Sequence, residues 1–253
     1  MTKIQPPVNI IFITFNRLYY TKITLPKLLA CNYENYTVTI VDNGSTDGTT
    51  EYLKSIKNSR IDNILFNKKN KGLVNPTKKF WNKSPAKYIG KIDNDIVVPS
   101  NFIEVLVEAH NKIDNLGVVG FCHFRKEDIN KEELKNKINL INGINLRVQP
   151  WIGGNYIMKK DTVLEYPYYK QSWKRFRKRI LYGFNQYQKK LTDLNLINGY
   201  IANDDKELFL WDHIDDPRNE NYFRDNNYKA REMTDQEIIN WYKKDANDLL
   251  IKY

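Results

Sequence analysis

Lys87-Tyr88-Ile89-Gly90-Lys91-Ile92-Asp93-Asn94-Asp95-Ile96-Val97-Val98-Pro99 is the stretch on which the fold turns. Its first six residues read as a strand ending at Asp93, and an apolar run resumes at Ile96. Two carboxylates one residue apart at a strand end repel unless a cation or solvent compensates them. A hard divalent ion prefers a few carboxylates together with diphosphate oxygens, so such a pair suits Mg2+ or Mn2+ held against a nucleoside diphosphate. An Asp-x-Asp triplet alone is usually just a turn. Its place after a buried strand gives this one weight.

Upstream, strands alternate with helices, which implies a mostly parallel sheet. Val8-Asn9-Ile10-Ile11-Phe12-Ile13-Thr14-Phe15 is a continuous apolar run, as expected of a strand covered on both faces. A helix is expected from Tyr19 to Cys31, with Pro26 tolerated or kinking it, then a strand from Tyr36 to Val41 ending at Asp42. The loop Asn43-Gly44-Ser45-Thr46-Asp47-Gly48 leads into a helix through Lys57. Ile61 to Phe66 reads as a third strand, Pro76 to Asn82 as a short helix, Asn101 to Lys112 as a helix and Gly117 to Phe124 as a fifth strand. Downstream the pattern loosens. Lys126 to Lys137 is a charged helix or loop, Ile144 to Pro150 a candidate strand, and Trp151-Ile152-Gly153-Gly154-Asn155 a Gly-rich turn into Tyr156-Ile157-Met158. Short strands are expected at Gly199 to Ala202 and Leu208 to Asp212, and an amphipathic helix over Glu237 to Ile251. With no linker or repeat, residues 1–253 read as a single domain. Its parts are a nucleotide-binding half (1–124), an acceptor half (125–231) and a C-terminal helix (232–253).

Ligands of open α/β sheets bind beyond the carboxyl ends of the strands. There lie Thr14, Asn16 and Arg17 after the first strand, Asp42, Asn43 and Ser45 after the second, and Asp93 and Asp95 after the fourth. The pieces Ile13-Thr14-Phe15-Asn16-Arg17, Ile40 to Thr49, Asn67-Lys68-Lys69-Asn70-Lys71-Gly72-Leu73 and Ile92-Asp93-Asn94-Asp95 occur in one order over about the first 100 residues. In that order they resemble the nucleotide-binding half of family 2 glycosyltransferases with the GT-A fold, a Rossmann-like, mostly parallel sheet flanked by helices with a smaller acceptor-side subregion.

The resemblance implies roles. Thr14, Asn16 and Arg17 would line the nucleoside site, and Asp42 would accept the N3–H of uracil, favouring UDP. Asn43 and Ser45 would shape that pocket, with Lys71 and Gly72 near the ribose or phosphates. Asp93 would meet ribose or metal-bound water, Asn94 would share the donor site, and Asp95 would ligate Mn2+ or Mg2+. The plainer reading of Asp42 to Asp47 is a polar loop capping a helix through Ser45, Thr46 or Asp47; both can hold together.

Trp151, Gly153 and Gly154 resemble the acceptor side of the sugar pocket, where glycines admit a substrate closely and an indole can stack on a sugar ring. Trp151 in the core is the equal alternative. Trp211-Asp212-His213-Ile214-Asp215 resembles the late His that completes the metal shell, so the expected metal set is Asp93, Asp95 and His213. Of the other histidines, His110 falls on a helix and His123 closes the fifth strand. One departure stands out. Where inverting members carry an acidic pair, this chain reads Tyr182-Gly183-Phe184-Asn185-Gln186-Tyr187, and an amide cannot serve as a general base. Asp204, Asp205 and Asp212 are the carboxylates left as candidate bases.

The implied activity is a metal-dependent, hexosyltransferase-type transfer, with inversion favoured and retention, which tolerates amides at that place, the alternative. It would move a sugar from a nucleoside diphosphate to a glycan, lipid-linked or protein acceptor. A nucleotidyltransferase would want a glycine-rich phosphate loop after the first strand, which Thr14 to Arg17 lacks. A non-catalytic nucleotide-sugar or glycan-binding module stays open because the acidic pair is missing.

Composition bounds the rest. The 253 residues carry 41% hydrophobic and 28% charged residues, a globular balance, with a formal charge of +10. From Lys170 to Lys190 eight Lys or Arg stand among aromatics without one acid. That pattern suits anionic lipid, an acidic acceptor or simply solvent. No RRM, KH or helix-turn-helix pattern accompanies it, so nucleic acid is not expected as a partner. No apolar run approaches the roughly 18–20 residues that cross a bilayer. Polar Met1 to Pro7 does not read as a secretion signal, and the isolated Cys31 and Cys122 suit a reducing compartment. The expected place is the cytoplasm, with membrane contact through residues 170–190 as the variant.

Overall fold

Val8–Thr14 forms β1, and all seven of its residues are buried, as a strand covered on both faces must be. The structure is a computed structural model, and it describes residues 5–167, 183–224 and 233–250. β1 pairs in parallel with β2 (Tyr36–Asp42) on one side and β4 (Tyr88–Asp93) on the other, and β2 pairs in parallel with β3 (Ile61–Phe66). β6 (Leu116–Gly120) and β10 (Ile197–Ala202) are parallel to each other. β9 (Tyr156–Lys159) runs antiparallel between β4 and β6, and β8 (Ile144–Val148) lies between β10 and β7 (Ile138–Ile141). The order is β3-β2-β1-β4-β9-β6-β10-β8-β7, nine strands in one sheet, of which only β8 and β9 run against the rest. This is the expected mostly parallel α/β sheet, continuous across both halves of the chain.

Side chains alternate across the sheet, so β1 divides its residues between two cores. Ile10 and Phe12 join Leu25, Leu28, Leu53, Phe102 and Leu106. These come from α1 (Leu18–Leu29), α2 (Thr49–Ser55) and α4 (Phe102–Lys112). Ile11 and Ile13 join Phe80, Trp81, Tyr187, Leu191, Ile238 and Tyr242. Those belong to α3 (Val74–Lys83), α7 (Phe184–Asp193) and α8 (Asp235–Leu250). Each such buried side chain contributes about 1.5–3 kcal/mol, so both helical layers are held by their apolar faces. Two short helices, α5 (Lys131–Lys135) and α6 (Lys160–Glu165), add Leu134 and Val163 to the second core.

Several elements differ from expectation. The strand expected over Gly117 to Phe124 stops at Gly120, and Cys122 makes only an isolated bridge with Leu210. The expected strand Leu208 to Asp212 reduces to such bridges plus β11 (Asp212–His213), which pairs antiparallel with β5 (Ile96–Val97). β7 forms a hairpin with β8 through Asn142 and Gly143, both at positive φ (49° and 76°), the geometry of a type I′ turn. In α8 the inward row is Ile238, Tyr242 and Ala246, while Trp241 is 49% exposed. Of the basic stretch, residues 170–182 lie outside the described residues, and 184–190 belong to α7.

The carboxyl ends of β1 to β4, β6 and β10 share one edge of the sheet, and β9 starts there because it runs the other way. That edge gathers the loops of the site.

Candidate functional site

Asp47 organises the first two loops. Its carboxylate accepts the amide of Leu18 (2.8 Å) and the amide and hydroxyl of Thr49 (3.1 and 2.6 Å), the first residues of α1 and α2. Burial pushes its pKa up, but the Thr49 hydroxyl and the Leu18 and Thr49 amides outweigh burial and hold it below the usual carboxylate range. Asn16 sits left-handed at φ 51°, a conformation Asn tolerates better than most residues. There its amide donates to Ser45 Oγ (2.9 Å) and its Oδ1 accepts from Thr46 N (2.7 Å). The β1 and β2 loops are thus laced together.

Asp42 belongs to the same lacing. It is 1% exposed. Its Oδ1 accepts from Ser45 N (3.0 Å) and Ser45 Oγ (2.6 Å), and its Oδ2 from the Thr50 hydroxyl. These bonds tie Asp42 into its own loop, so the expected direct bond to a base would share an oxygen with one of these partners. Asn43, equally buried, donates to Gly72 O (3.1 Å) and accepts from Asn67 (3.0 Å).

The acid motif is fixed from several sides. Asn94 donates to Thr14 Oγ1 (3.0 Å), and Thr24 Oγ1 donates to Asn94 O (3.0 Å). Asp93 N donates to Asn155 Oδ1 (2.6 Å), and the Asp93 carboxylate pairs with the buried Lys91 ammonium. Gly154 faces that pair closely. A Cβ there would lie 2.8 Å from Asp93 Oδ2 and 3.1 Å from Lys91 Nζ, so any side chain at 154 would push these two charged ends out of place. Gln188 of α7 holds the loop by accepting from Ile152 N (2.8 Å) and donating to Ile152 O (3.0 Å).

Asp95 pairs with Arg17 at 2.7 Å, and the other arm of the same guanidinium reaches Asp215 at 3.0 Å. Arg17 is 8% exposed and stacks over the Tyr20 ring, 5.0 Å from its centroid. The β5–β11 ladder, continued by Ile214 N donating to Asp95 O (3.0 Å), brings His213 beside the motif. Burial works against ionised Asp95, yet His213, Arg17 and Lys91 together hold its pKa below the usual range, so it stays an anion. His213 Nδ1 accepts from Asp215 N (3.2 Å), and the Tyr242 hydroxyl lies 3.2 Å from it. His123 approaches from the end of β6, its ring 5.7 Å from that of His213 and facing Gly153. Burial, then His213, push its pKa down to about 3, so it is neutral at ordinary pH.

Two cavities meet at Asp93 and Leu73. The first, about 330 Å3, is bounded by Thr14 to Arg17, Asn43, Gly72 and the acid motif. The second, about 280 Å3, is walled by Trp81, Tyr156 and Phe184, with Lys91, Asp93 and Gly154 on one side. Of the expected donor residues, Ser45 lines neither cavity, and Lys71 faces a separate groove, where its ammonium donates to Asn67 Oδ1 (2.8 Å). Trp151 lines neither cavity. Asp204 and Asp205 are exposed in the turn after β10. Three strand spacings of about 4.8 Å separate that strand from β4. The exposed Asp212 accepts from Asn219. None of these three carboxylates lines either cavity. Sequence reasoning missed Lys91, His123, Asn155, Gln188 and Asp215. Lys91 and Asp215 had a visible signal, a charge inside an apolar strand and a second acid beside the late His.

Among the described residues no three His, Cys, Asp or Glu side chains converge as a metal cage. Asp93 and Asp95 nevertheless border one cavity. Two carboxylates there suit a hard ion that takes its remaining ligands from a diphosphate.

A sheet of this order, with polar loops gathered around an Asp-x-Asp motif at its carboxyl edge, is the GT-A architecture. A Pyrobaculum calidifontis mannosyltransferase solved with GDP-Man and Mn2+ superposes with a TM-score of 0.60 at 14% identity, over 77% of this chain and 54% of that one. S. aureus TarS residues 1–349 superpose with a TM-score of 0.56 at 14% identity, over 96% and 72%. The chain itself belongs to Glycosyl transferase family 2, whose sequence profile matches residues 9–199. It is similar to uncharacterized glycosyltransferases of Haemophilus influenzae (28% identical over 118 residues) and Rickettsia bellii (31% over 129 residues). The matches cover 46% and 49% of this chain but only 36% and 17% of those proteins. The chain thus spans well under half the length of these relatives.

Proposed function

We propose that this chain moves a sugar from a nucleoside diphosphate to a glycan or glycoconjugate acceptor. The observation that carries the reading is the pair of cavities joined at Asp93, one bounded by the acid motif and the interlaced β1 and β2 loops, the other walled by aromatic rings. The nucleoside diphosphate occupies the first cavity. A bound Mn2+ or Mg2+ would neutralise the diphosphate as it departs, held by Asp93 and Asp95; His213 lines neither cavity and would have to turn in to serve as a third protein ligand. Arg17, which pairs with both Asp95 and Asp215, would keep Asp215 if Asp95 turned to the ion. Asp42 acts by fixing the Asn43–Ser45 turn against the base. UDP is the first donor to test.

The base of an inverting transfer is the open step. Among the described residues only Asp93 and Asp95 line the cavities as carboxylates, and Asp204, Asp205 and Asp212 serve only if the acceptor carries its hydroxyl toward them. That observation favours a second reading, retention, in which the leaving phosphate takes the acceptor proton. The configuration of the product at the anomeric carbon, read by NMR, decides between them. The reading as a whole is tested by calorimetry with UDP-, GDP-, dTDP- and CMP-sugars, with and without Mn2+, followed by turnover. Binding of one diphosphate donor that strengthens with Mn2+ and is lost in Asp95→Ala supports it. Donor binding indifferent to both the ion and Asp95 overturns the site.

A further inference from the structure

The aromatic cavity beside Asp93 has a chemistry of its own. Trp81 spends its indole N–H on the Tyr156 hydroxyl (3.0 Å), and Phe184 stacks on Tyr156 with centroids 4.2 Å apart. The rings therefore offer mainly carbon surface. Leu73 and Val74 extend that surface at the mouth, 52% and 38% exposed. Besides Tyr156, the charged or hydroxyl side chains of the lining are Lys78, Thr77, Lys91 and Asp93. Lys91 and Asp93 are paired with each other, and the ammonium also donates to Gly154 O (3.3 Å). On the α3 wall Thr77 is 7% exposed, and its hydroxyl is buried with no hydrogen-bond partner among the described residues. A buried hydroxyl in a folded protein is nearly always bonded. An orphan on the wall of a cavity points to a ligand that completes it.

We propose that this cavity receives the donor's sugar ring and selects rings in which an apolar substituent, a 6-methyl or an N-acyl group, replaces a free hydroxyl. Thr77 Oγ makes the hydrogen bond that orients the ring. The inference rests on the nucleotide-sugar reading above and names its substrate class. The first cavity holds the nucleoside diphosphate, and the shared border at Asp93 and Leu73 leads its sugar into the second. A fully hydroxylated ring would turn several O–H groups onto the faces of Trp81, Tyr156 and Phe184. Each hydroxyl buried without a partner costs about tenfold or more in affinity, whereas a methyl or acyl group on those faces gains from burial.

The test is calorimetry of the whole protein on the nucleotide that binds best, using four ligands: the bare nucleoside diphosphate and its glucosyl, 6-deoxyglucosyl and 2-acetamido-2-deoxyglucosyl forms. The expected result is that at least one substituted donor binds tenfold or more tighter than the glucosyl form. Thr77→Val should erase about tenfold of the substituted donor's affinity while leaving the bare diphosphate unchanged. Because the Thr77 hydroxyl has no partner among the described residues, this variant should fold with undiminished stability. Equal affinity for all three donors, or an unchanged sugar-to-diphosphate ratio in Thr77→Val, overturns the inference while the function stands. Failure of the bare diphosphate to bind takes down both.

Discussion

Replacing Arg17 by methionine would leave two carboxylates, those of Asp95 and Asp215, facing each other without their shared cation. The side chains of Asp95 and Asp215 are 16% and 14% exposed, and the guanidinium meets them at 2.7 and 3.0 Å. Removing one partner of a buried ion pair costs about 3–5 kcal/mol, far above the ~1 kcal/mol of an exposed pair. For a chain of this size that is a fall in Tm of about 6–20 °C. Arg17→Lys should lose most of the same amount, because one ammonium cannot span two carboxylates as a planar fork does. Urea unfolding followed by circular dichroism reads the loss, and adding Asp215→Asn to Arg17→Met should return part of it. Mn2+ supplies a second arm. On the proposed reading it would compete with Arg17 for Asp95 in the parent, so its stabilising shift should be larger in Arg17→Met. A loss below about 1 kcal/mol, with an unchanged Mn2+ shift, would refute the account of this triad.

Asp47→Ala removes the acceptor shared by the first turns of α1 and α2, and should cost about 1–2 kcal/mol in urea unfolding. Gly154→Ala sets a methyl group against Asp93 and Lys91, whose flexible ends can swing aside. The fold should survive while turnover falls about a hundredfold, as misplacing a reacting group by about 1 Å can do; unchanged turnover would count against Asp93. Burial pushes the His110 pKa down to about 4. Between its unfolded value of about 6.5 and that point, only the unfolded chain takes the proton. Stability should therefore drop by up to about 1.4 kcal/mol per pH unit as pH falls through this window. In His110→Gln that slope should shrink by the same amount, measured by unfolding at stepped pH.

The first hundred residues were legible because local chemistry and the sheet agree there. Strands buried on both faces are written as unbroken apolar runs, and the polar loops follow each run directly. Asp42 shows the limit of such reading, since an acid at a strand end looks the same whether it faces a ligand or its own loop. Only the positions of Ser45 and Thr50 decide the matter. The second half was harder for a physical reason: β5 and β11 are two residues long, and His213 reaches Asp95 through tertiary pairing that no periodicity announces. His123 was read as the end of a strand that in fact stops at Gly120, which frees it to turn toward the site. The Asn142-Gly143 hairpin signal was present in the sequence, but the alternation of the four residues before it was too short to stand out.

The guanidinium of Arg17 joins carboxylates 78 and 198 residues away along the chain. The second of these is far the longer, and contacts of that separation are slow to form, because the intervening loops must close before the pairing rewards them. The parallel core of β1, β2 and β4 therefore has every reason to consolidate first, with β11 docking onto β5 late. A chain caught at that stage would hold most of its sheet while Arg17 and Asp95 lacked Asp215 and His213. If the site binds a donor as proposed, that competence belongs to the last step of folding rather than to the collapse of the core. Refolding watched by donor binding should lag behind refolding watched by the sheet.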